Sequence, residues 1–452
     1  MKTRIFHNEN FFSLSPGFIC LLLFLTAGTS CKKFCLQTDN GINKINHVIV
    51  IYLENHSFDN LFGQFAGANG FANATMKQVD SAGNPYTFLP PIPNTTAFPT
   101  NLPNEPFNID QYVPANMNIP DLVHRFYQEQ QQIDGGKMDK FALVSNAKAL
   151  TMGYYKTSGL PLAAEAARYT LCDNFYHSAF GGSFLNHIWL IAAASPLFPN
   201  APPEIVAQVD ANGNLIKDGA VTPDGFVVNT SFTVNTPHPA KANTSQLVPN
   251  QTIPTIGDRL SEKNIDWAWY SGGWNNAIAG SPDSTFQFHH QPFAYFQNYA
   301  DGTAGRKNHL KDEADFIAAA SKGMLPPVSF VKPLGYNNEH PGYADVITGE
   351  NHTVELINAV RNSPNWQDAV IVITYDENGG FWDHVTPPLI DKWGPGSRVP
   401  SIIISPFAKT GYVDHTQYET LSILALIEKR WGLVPLSSRD AYIHYLENAF
   451  NF

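Results

Sequence analysis

Carboxylate and amide side chains follow two apolar runs of the chain, where buried strands are expected to end. Glu54 and Asn55 come directly after one run, and Asp376 and Glu377 come directly after the other. Carboxylate and amide oxygens are the ligands that hard divalent cations such as Mg²⁺, Ca²⁺ and Mn²⁺ prefer. These residues therefore predict a divalent metal site; the alternative is that they are polar only because loops are solvated.

Ser183 follows two glycines and precedes the apolar run 188–194, which predicts a helix. A serine at this position either caps the helix or acts as a nucleophile. The backbone amides and the dipole at the amino end of a helix favour an anion such as phosphate. The sequence around Ser183 is not a Gly-x-Ser-x-Gly elbow, which disfavours an esterase of the lipase type.

Histidines are numerous, with 15 in the chain. Those in chemically suggestive surroundings are His124, the pair His289 and His290, and His340. A single histidine is most often a surface or core residue. These four histidines therefore indicate a functional site only if the fold brings them together.

Four short β-branched runs predict strands that are buried on both faces. They cover residues 48–53, 328–331, 369–375 and 401–405. Apolar residues at helical spacing predict helices over 353–362 and 418–431. Strands that alternate with helices indicate an α/β fold with a mainly parallel sheet flanked by helices. In such a sheet, ligands bind at the carboxyl ends of the strands, where the polar residues described above lie.

Two segments rich in proline and asparagine predict long excursions rather than core, near residues 80–118 and 196–254. The second contains two short runs around Asn212-Gly213, which predict a small β-hairpin. No internal repeat or low-complexity linker divides the chain. We therefore expect one elaborated domain over residues 45–452.

The start of the chain is typical of an export signal. Lys2 and Arg4 precede the apolar run 18–25, and small residues follow it. The run is too short to span a bilayer comfortably. Residues 1–30 are thus predicted to be a signal peptide, with Cys31 either the lipid anchor of a lipoprotein or part of a simple cleavage site. The mature protein is expected to be exported, as a periplasmic, cell-surface or secreted protein.

Composition excludes several classes of protein. Of the 452 residues, 43% are hydrophobic and 15% charged, which excludes a disordered chain. The net charge of −11 and the lack of a basic run argue against nucleic acid as the partner. Cys35 and Cys172 either form a disulfide in an oxidising compartment, or Cys172 is a buried free thiol.

Several blocks of sequence together carry a resemblance to a known family. They cover residues 46–59, 135–141, 152–155, 172–175, 375–385 and 439–441. In this order they resemble the phosphoesterase family that contains bacterial phospholipases C and a branch of acid phosphatases. The resemblance extends from about residue 45 to the end, and it implies a fold similar to that of alkaline phosphatase.

Within the family, the blocks at 376–384, 393–396 and 412–416 look most similar to the acid phosphatase branch. Ser183, where phosphocholine-preferring members usually carry threonine, favours the same branch. The resemblance thus implies hydrolysis of phosphomonoesters through a phosphoserine intermediate. The alternative is a phosphodiesterase of phospholipase C type. A non-catalytic surface-binding lipoprotein is a third reading, which the retention of all the expected site residues disfavours.

The resemblance also assigns roles to the residues described above. The implied shell of one divalent metal ion is Glu54, Asn55, Ser183, Asp376 and Glu377, with Ser183 also the nucleophile. His124, His290 and His340 would hold the phosphoryl group and the leaving oxygen, and Asn55 and His289 would contact the substrate. Asp383 and His384, a buried pair after two glycines, would lie behind these residues and would either support the site or simply orient the loop. The expected substrate is a small phosphate ester or a phospholipid head group, and protonated histidines would give an acidic pH optimum.

Overall fold

The computed structural model describes residues 41–211 and 213–452. The predicted signal peptide, Cys31 and Cys35 therefore lie outside the described residues. Cys172 is a buried free cysteine. Among the helices of the described residues, none is long and apolar enough to cross a membrane.

The described part of the chain contains fourteen strands and twelve α-helices, with short 3-10 helices and irregular segments between them. The strands are β1 His47–Leu53, β2 Phe107–Asn108, β3 Gly153–Tyr154, β4 Thr170–Cys172, β5 Phe175–Tyr176, β6 Gln208–Val209, β7 Leu215–Lys217, β8 Trp267–Ser271, β9 Leu310–Asp312, β10 Val328–Lys332, β11 Ala369–Tyr375, β12 Ser401–Ile404, β13 Tyr412–Asp414 and β14 Tyr418–Glu419. The helices are α1 Phe58–Phe62, α2 Phe126–Ile133, α3 Phe141–Val144, α4 Pro161–Arg168, α5 Ser183–Ala192, α6 Ile256–Glu262, α7 Trp274–Ile278, α8 Ala304–His309, α9 Glu313–Ser321, α10 Val346–Arg361, α11 Thr420–Trp431 and α12 Ser438–Tyr442.

Eight of these strands form one sheet in the order β13-β4-β12-β11-β1-β10-β8-β9. Strand β1 lies between β10 and β11 and pairs in parallel with both. Strand β12 pairs antiparallel with β11 and β4 and so runs against the other seven. Every residue of β10 and β11 is buried, because helices cover both faces of the sheet. The predicted α/β class with a mainly parallel sheet is confirmed.

The four strands predicted from β-branched runs are β1, β10, β11 and β12. Sequence analysis missed β4, β8, β9 and β13. Three of these have only three residues. The fourth, β8, is built largely from aromatic side chains rather than β-branched ones. Such short or aromatic segments lack the apolar run by which the others were recognised.

The predicted helices are present, but one begins earlier than expected. Helix α10 starts at Val346, where the Asp345 side chain caps it by accepting a hydrogen bond from the Thr348 amide. Its first turns bury Glu350 and Thr353, so their polar character hid the helical pattern. The hairpin predicted around Gly213 is also present, as the antiparallel pair β6 and β7.

The two excursions contribute to the interior. Leu89 and Phe98 from the first, and Val227 and Val248 from the second, are buried in the same hydrophobic cluster as the sheet. Their backbone is mainly irregular, as the prolines and asparagines predict. The excursions thus follow irregular paths, but the expectation that they lie outside the core is wrong, because their apolar side chains pack into it.

Candidate active site

The carboxyl ends of β1 and β11 bring the first candidate residues together. The register pairs Leu53 with Tyr375, so Glu54 and Asp376 leave the sheet side by side. Asn55 has a left-handed backbone with φ of 64°, which asparagine tolerates better than most residues. In that conformation its amide donates a hydrogen bond of 3.1 Å to Asp376 Oδ1.

Ser183 reaches the same place from a different element. It is the first residue of α5 and follows Gly182, which has no side chain to cap the helix. Its Oγ lies 3.4 Å from Glu54 Oε2 and 3.4 Å from Asn55 Oδ1. The nucleophile candidate thus stands at the amino end of a ten-residue helix, where the dipole favours an anion. We call Glu54, Asn55, Ser183, Asp376 and Glu377 the Ser183 centre.

The carboxylates of the Ser183 centre are buried and incompletely paired. Asp376 Oδ2 and Glu377 Oε1 have no hydrogen-bond partner among the described residues. Burial, and after it the negative charge of Glu54, raises the pKa of Asp376 to about 7. Burial, and after it the negative charge of Asp376, raises the pKa of Glu377 well above its usual range. Buried unpaired oxygens are costly, and carboxylate oxygens are the donors that a hard divalent ion takes, so the chemistry of this donor set fits such an ion.

Glu54 differs because it has basic neighbours. Its Oε1 lies 2.5 Å from His290 Nε2 and 2.5 Å from Lys332 Nζ, although the direction of these contacts departs from that of a good hydrogen bond. Burial acts to raise the pKa of Glu54, but His290 and Lys332 outweigh it and hold that pKa well below its usual range. Glu54 is therefore ionised, with Oε1 toward the bases and Oε2 toward Ser183.

Three histidines form a buried cluster beside Glu54. The rings of His187 and His290 stack with centroids 5.1 Å apart, and His289 packs edge-on against both. Burial lowers the pKa of His290 to about 4 and lowers that of His187 and His289 well below the usual value. Burial thus opposes protonation of these imidazoles, whereas the neighbouring Glu54 carboxylate favours it.

His124 and His340 lie at the opening of the site. Their ring centroids are 5.4 Å apart. His340 Nε2 lies 3.9 Å from Glu54 Oε2, and the ring nitrogens of His124 lie 3.4 Å from Asn55 Nδ2. A cavity of about 350 Å³ lies beside His124, and its lining includes Gly182, the residue before Ser183.

Asp383 and His384, predicted either to support the site or to orient the loop, contact Arg398 and Asp59. Asp383 Oδ1 accepts a hydrogen bond of 2.8 Å from Arg398 Nε. His384 Nδ1 lies 2.7 Å from Asp59 Oδ2, and Arg398 Nη2 lies 3.2 Å from Asp59 Oδ1. We call these four residues the Arg398 network. It ties the start of α1 to the loop after β11, and so it orients that loop.

Sequence analysis missed two residues of the site. Lys332 ends β10, and its side chain is fully buried against Glu54. Its signal was of the kind that revealed Glu54, a charged residue directly after a buried apolar run. His187 lies one helical turn after Ser183 and donates to the Ser183 carbonyl oxygen from Nδ1 at 2.7 Å. It gave no signal beyond that spacing.

Comparison with known proteins identifies the family of this chain. Residues 45–434 match the model of the phosphoesterase family. The chain therefore belongs to the phosphoesterase family, and it is a phosphoric ester hydrolase. The family predicted from the sequence blocks is confirmed.

The similar curated proteins are phospholipases C. Phospholipase C A of Mycobacterium tuberculosis is 25% identical over 91% of this chain and 78% of its own length. Non-specific phospholipase C6 of Arabidopsis thaliana is 25% identical over 94% of this chain and 77% of its own. Non-hemolytic phospholipase C of Pseudomonas aeruginosa is 23% identical over 91% and 58% respectively. These relatives favour the phospholipase C alternative over the acid phosphatase expected first.

Among solved structures, a protein in the alkaline phosphatase superfamily from Vibrio parahaemolyticus is 10% identical, with a TM-score of 0.35 over 74% of this chain and 71% of that one. A 2-O GAG sulfatase is 13% identical, with a TM-score of 0.34 over 67% and 71%. At these scores the likenesses carry no argument about the reaction.

Proposed function

We propose that this protein is a metal-dependent phosphodiesterase of phospholipase C type, with Ser183 as its nucleophile. The observation that carries the proposal is the Ser183 hydroxyl at the amino end of α5, within 3.4 Å of Glu54 Oε2 and Asn55 Oδ1. The phospholipase C relatives support the diester substrate. The substrate would be a phospholipid whose head-group phosphate enters the cavity beside His124.

One divalent ion would be held by the five residues of the Ser183 centre. The unpaired oxygens of Asp376 and Glu377 support this assignment, and oxygen donors favour Mg²⁺, Ca²⁺ or Mn²⁺. When bound, the ion would lower the pKa of the serine hydroxyl and offset the charge of the phosphoryl oxygens.

The side chains then divide the work. Ser183 Oγ releases its proton to solvent and attacks phosphorus, and the bond from phosphorus to the glycerol oxygen breaks. His124 gives a proton to the departing alcohol and later takes one from the water that hydrolyses the phosphoserine, as the freed Ser183 oxygen takes a proton back from solvent. His290 and His340 hold the phosphoryl oxygens, while Asn55 and His289 orient the substrate. Because His340 Nδ1 donates to the Pro341 carbonyl oxygen, His340 Nε2 donates to a phosphoryl oxygen only when the ring is protonated.

The acid phosphatase alternative rests on Ser183 itself, since phosphocholine-preferring relatives usually carry threonine there. A monoesterase would use the same residues and differ in how the cavity receives the second ester group. Substrate preference therefore separates the two functions better than any single site mutation.

The test compares release of nitrophenol from nitrophenyl phosphate and from nitrophenyl phosphorylcholine at pH 6. Each assay is run after chelation and again after addition of Mg²⁺, Ca²⁺ or Mn²⁺. We expect the diester to be preferred and the activity to require metal. Preference for the monoester would overturn the phospholipase C assignment in favour of acid phosphatase.

The nucleophile is tested by Ser183→Ala, with Ser401→Ala as the matched control because Ser401 Oγ in β12 is buried and has no partner among the described residues. We expect Ser183→Ala to lose activity on both esters and Ser401→Ala to keep it. Retained activity in Ser183→Ala would reject Ser183 as the nucleophile.

We also propose that the mature protein is exported as one domain over residues 45–452, with residues 1–30 removed. Mass spectrometry of the mature amino terminus checks this directly. A diacylglyceryl mass on Cys31 would indicate a lipoprotein, an unmodified terminus near this residue a secreted or periplasmic protein, and an uncleaved Met1 would reject export.

A further inference from the structure

A buried carboxylate outside the Ser183 centre gathers the segments that lead into the catalytic loop. Glu129, on α2, is 1% exposed. Its Oε2 accepts a hydrogen bond of 2.6 Å from the Gly181 amide. Its Oε1 accepts from His177 Nε2 at 2.9 Å, from the Ser397 amide at 2.9 Å and from Ser397 Oγ at 3.1 Å. One side chain thus fixes the turn two residues before Ser183.

The hydrogen bonds of His177 define its charge. Its Nε2 faces Glu129 Oε1, and its Nδ1 lies 2.8 Å from the Ala179 carbonyl oxygen. A carbonyl oxygen and an ionised carboxylate only accept, so both ring nitrogens must carry a proton. His177 is therefore an imidazolium, and with Glu129 it forms a buried ion pair.

The electrostatics agree with that geometry. Burial acts to lower the pKa of His177, but Glu129 outweighs it and the net shift is upward. Burial likewise acts to raise the pKa of Glu129, and His177 outweighs it so that the net shift is downward. At longer range Asp376, after β11, favours the charged form of His177. The negative charge of Glu129 in turn helps to raise the pKa of Glu377, which also follows β11.

Packing leaves this ion pair no room to move. A Cβ on Gly396 would lie 2.1 Å from His177 Cε1 and 2.6 Å from Glu129 Oε1, so only glycine fits there. Gly181 has φ of 88°, and a Cβ on it would lie 2.4 Å from the Phe126 amide at the start of α2. The helix that carries Glu129 is therefore pressed directly against the loop that carries Ser183.

We propose that Glu129 and His177 are positioning residues which, as an ion pair, hold the 177–182 loop so that Ser183 Oγ faces Glu54 and Asn55. The inference rests on the proposed role of Ser183 and adds a requirement for charge at two residues remote in sequence. A displaced nucleophile loses rate far more than binding, because a shift of about 1 Å costs on the order of 100-fold.

The first test is Glu129→Gln, which keeps the shape and removes the charge. Its matched control is Glu313→Gln, because Glu313 Oε1 lies at the same 2.9 Å from His352 Nε2 but joins α9 to α10. With the ester that the wild type hydrolyses best, we expect kcat to fall about 100-fold with KM changed less than about threefold. Glu313→Gln should keep kcat within twofold. A kcat within threefold of wild type in folded Glu129→Gln overturns the inference.

The second test measures the wild-type protein, and a variant serves only to assign the His177 signal. In protein labelled with ¹⁵N-histidine, the ring nitrogens of His177 should show the imidazolium signature at pH 7.5, and His177→Gln identifies the signal. We expect kcat of the wild type to fall as pH rises and this signal titrates, because His177 carries its positive charge only at pH values below its raised pKa. A neutral His177 at pH 7.5, or a kcat that ignores its titration, overturns the inference.

Ser183→Ala assayed in parallel keeps the two proposals distinguishable. Activity that survives Ser183→Ala rejects the proposed nucleophile, and the inference with it. Activity lost in Ser183→Ala but unchanged in Glu129→Gln leaves the proposed function standing and rejects the ion pair as its support.

Discussion

The Ser183 centre and the Arg398 network are both buried polar clusters close to the carboxyl end of β11, but they differ in how completely their polar groups are hydrogen-bonded. In the Arg398 network, Arg398 donates to Asp383, Asp59 and two backbone carbonyl oxygens. Both carboxylates there accept hydrogen bonds at each oxygen. In the Ser183 centre, Asp376 Oδ2 and Glu377 Oε1 accept none within the described residues.

This contrast separates structural from reactive polarity. A buried network that satisfies every group holds the fold in one arrangement. A cluster with unpaired buried carboxylate oxygens carries a free-energy cost of desolvation, which a bound cation offsets. Both clusters have an acidic residue in contact with a histidine, His290 beside Glu54 in one and His384 beside Asp59 in the other, so residue types alone do not distinguish them. The unpaired oxygens do.

The largest effect expected from this contrast is on activity. Asp376→Asn should lower kcat by about 1000-fold or more, because it removes a charge that stabilises the reacting centre. The metal-free variant should be at least as stable as the metal-free wild type, since the burial cost of an ionised carboxylate is gone. Assays of kcat with thermal melting of chelated protein check both. A variant that is both active and less stable would assign Asp376 to the structural class.

The complementary change is Arg398→Met in the other cluster. Removing one partner of a buried ion network leaves Asp59 and Asp383 uncompensated, which costs about 3 to 5 kcal/mol of unfolding free energy. Urea unfolding of the variant against wild type measures this loss. The control is Lys392→Met, which breaks an exposed ion pair with Asp224 and should cost less than about 1 kcal/mol. An Arg398→Met variant as stable as the control would contradict a structural role.

Binding of a metal ion should stabilise the Ser183 centre alone. At 100 times its dissociation constant, a divalent ion that binds only the folded state adds about 2.7 kcal/mol. We therefore expect Mg²⁺, Ca²⁺ or Mn²⁺ to raise the melting temperature of chelated wild type, and of Asp383→Asn by the same increment. Asp376→Asn should show little of that rise. An equal rise in Asp376→Asn would argue that the ion binds elsewhere.

Much of the Ser183 centre could be predicted because its residues follow apolar runs in sequence. Glu54 and Asp376 each come directly after a strand that the β-branched pattern identifies, and parallel strands end at the same edge. Ser183 follows two glycines at a helix start, which is also a local signal. The same logic applied to Lys332 would have found it, since it ends β10.

The rest depends on contacts between distant segments. Glu129 and His177 lie 48 residues apart, and nothing local in either segment indicates that they pair. The antiparallel direction of β12 and the position of β4 beside it likewise follow from connections that the apolar pattern does not encode. Asp383 and His384 were expected near the site because of their sequence neighbours, but Arg398 and Asp59 determine where they point.

The smallest expected effect is the pH dependence of stability in the metal-free protein. Burial raises the pKa of Asp376 to about 7, above that of an unfolded aspartate, so the folded state holds a proton that the unfolded state releases. The stability this group contributes is complete below the unfolded pKa and is lost as pH rises toward 7. We expect chelated wild type to lose about 1 kcal/mol of unfolding free energy per pH unit between pH 5 and 7 relative to Asp376→Asn, measured by urea unfolding. Asp383→Asn, from the satisfied network, should leave the wild-type slope unchanged. Equal slopes in wild type and Asp376→Asn would show that the Asp376 carboxyl is not held protonated by its unpaired surroundings.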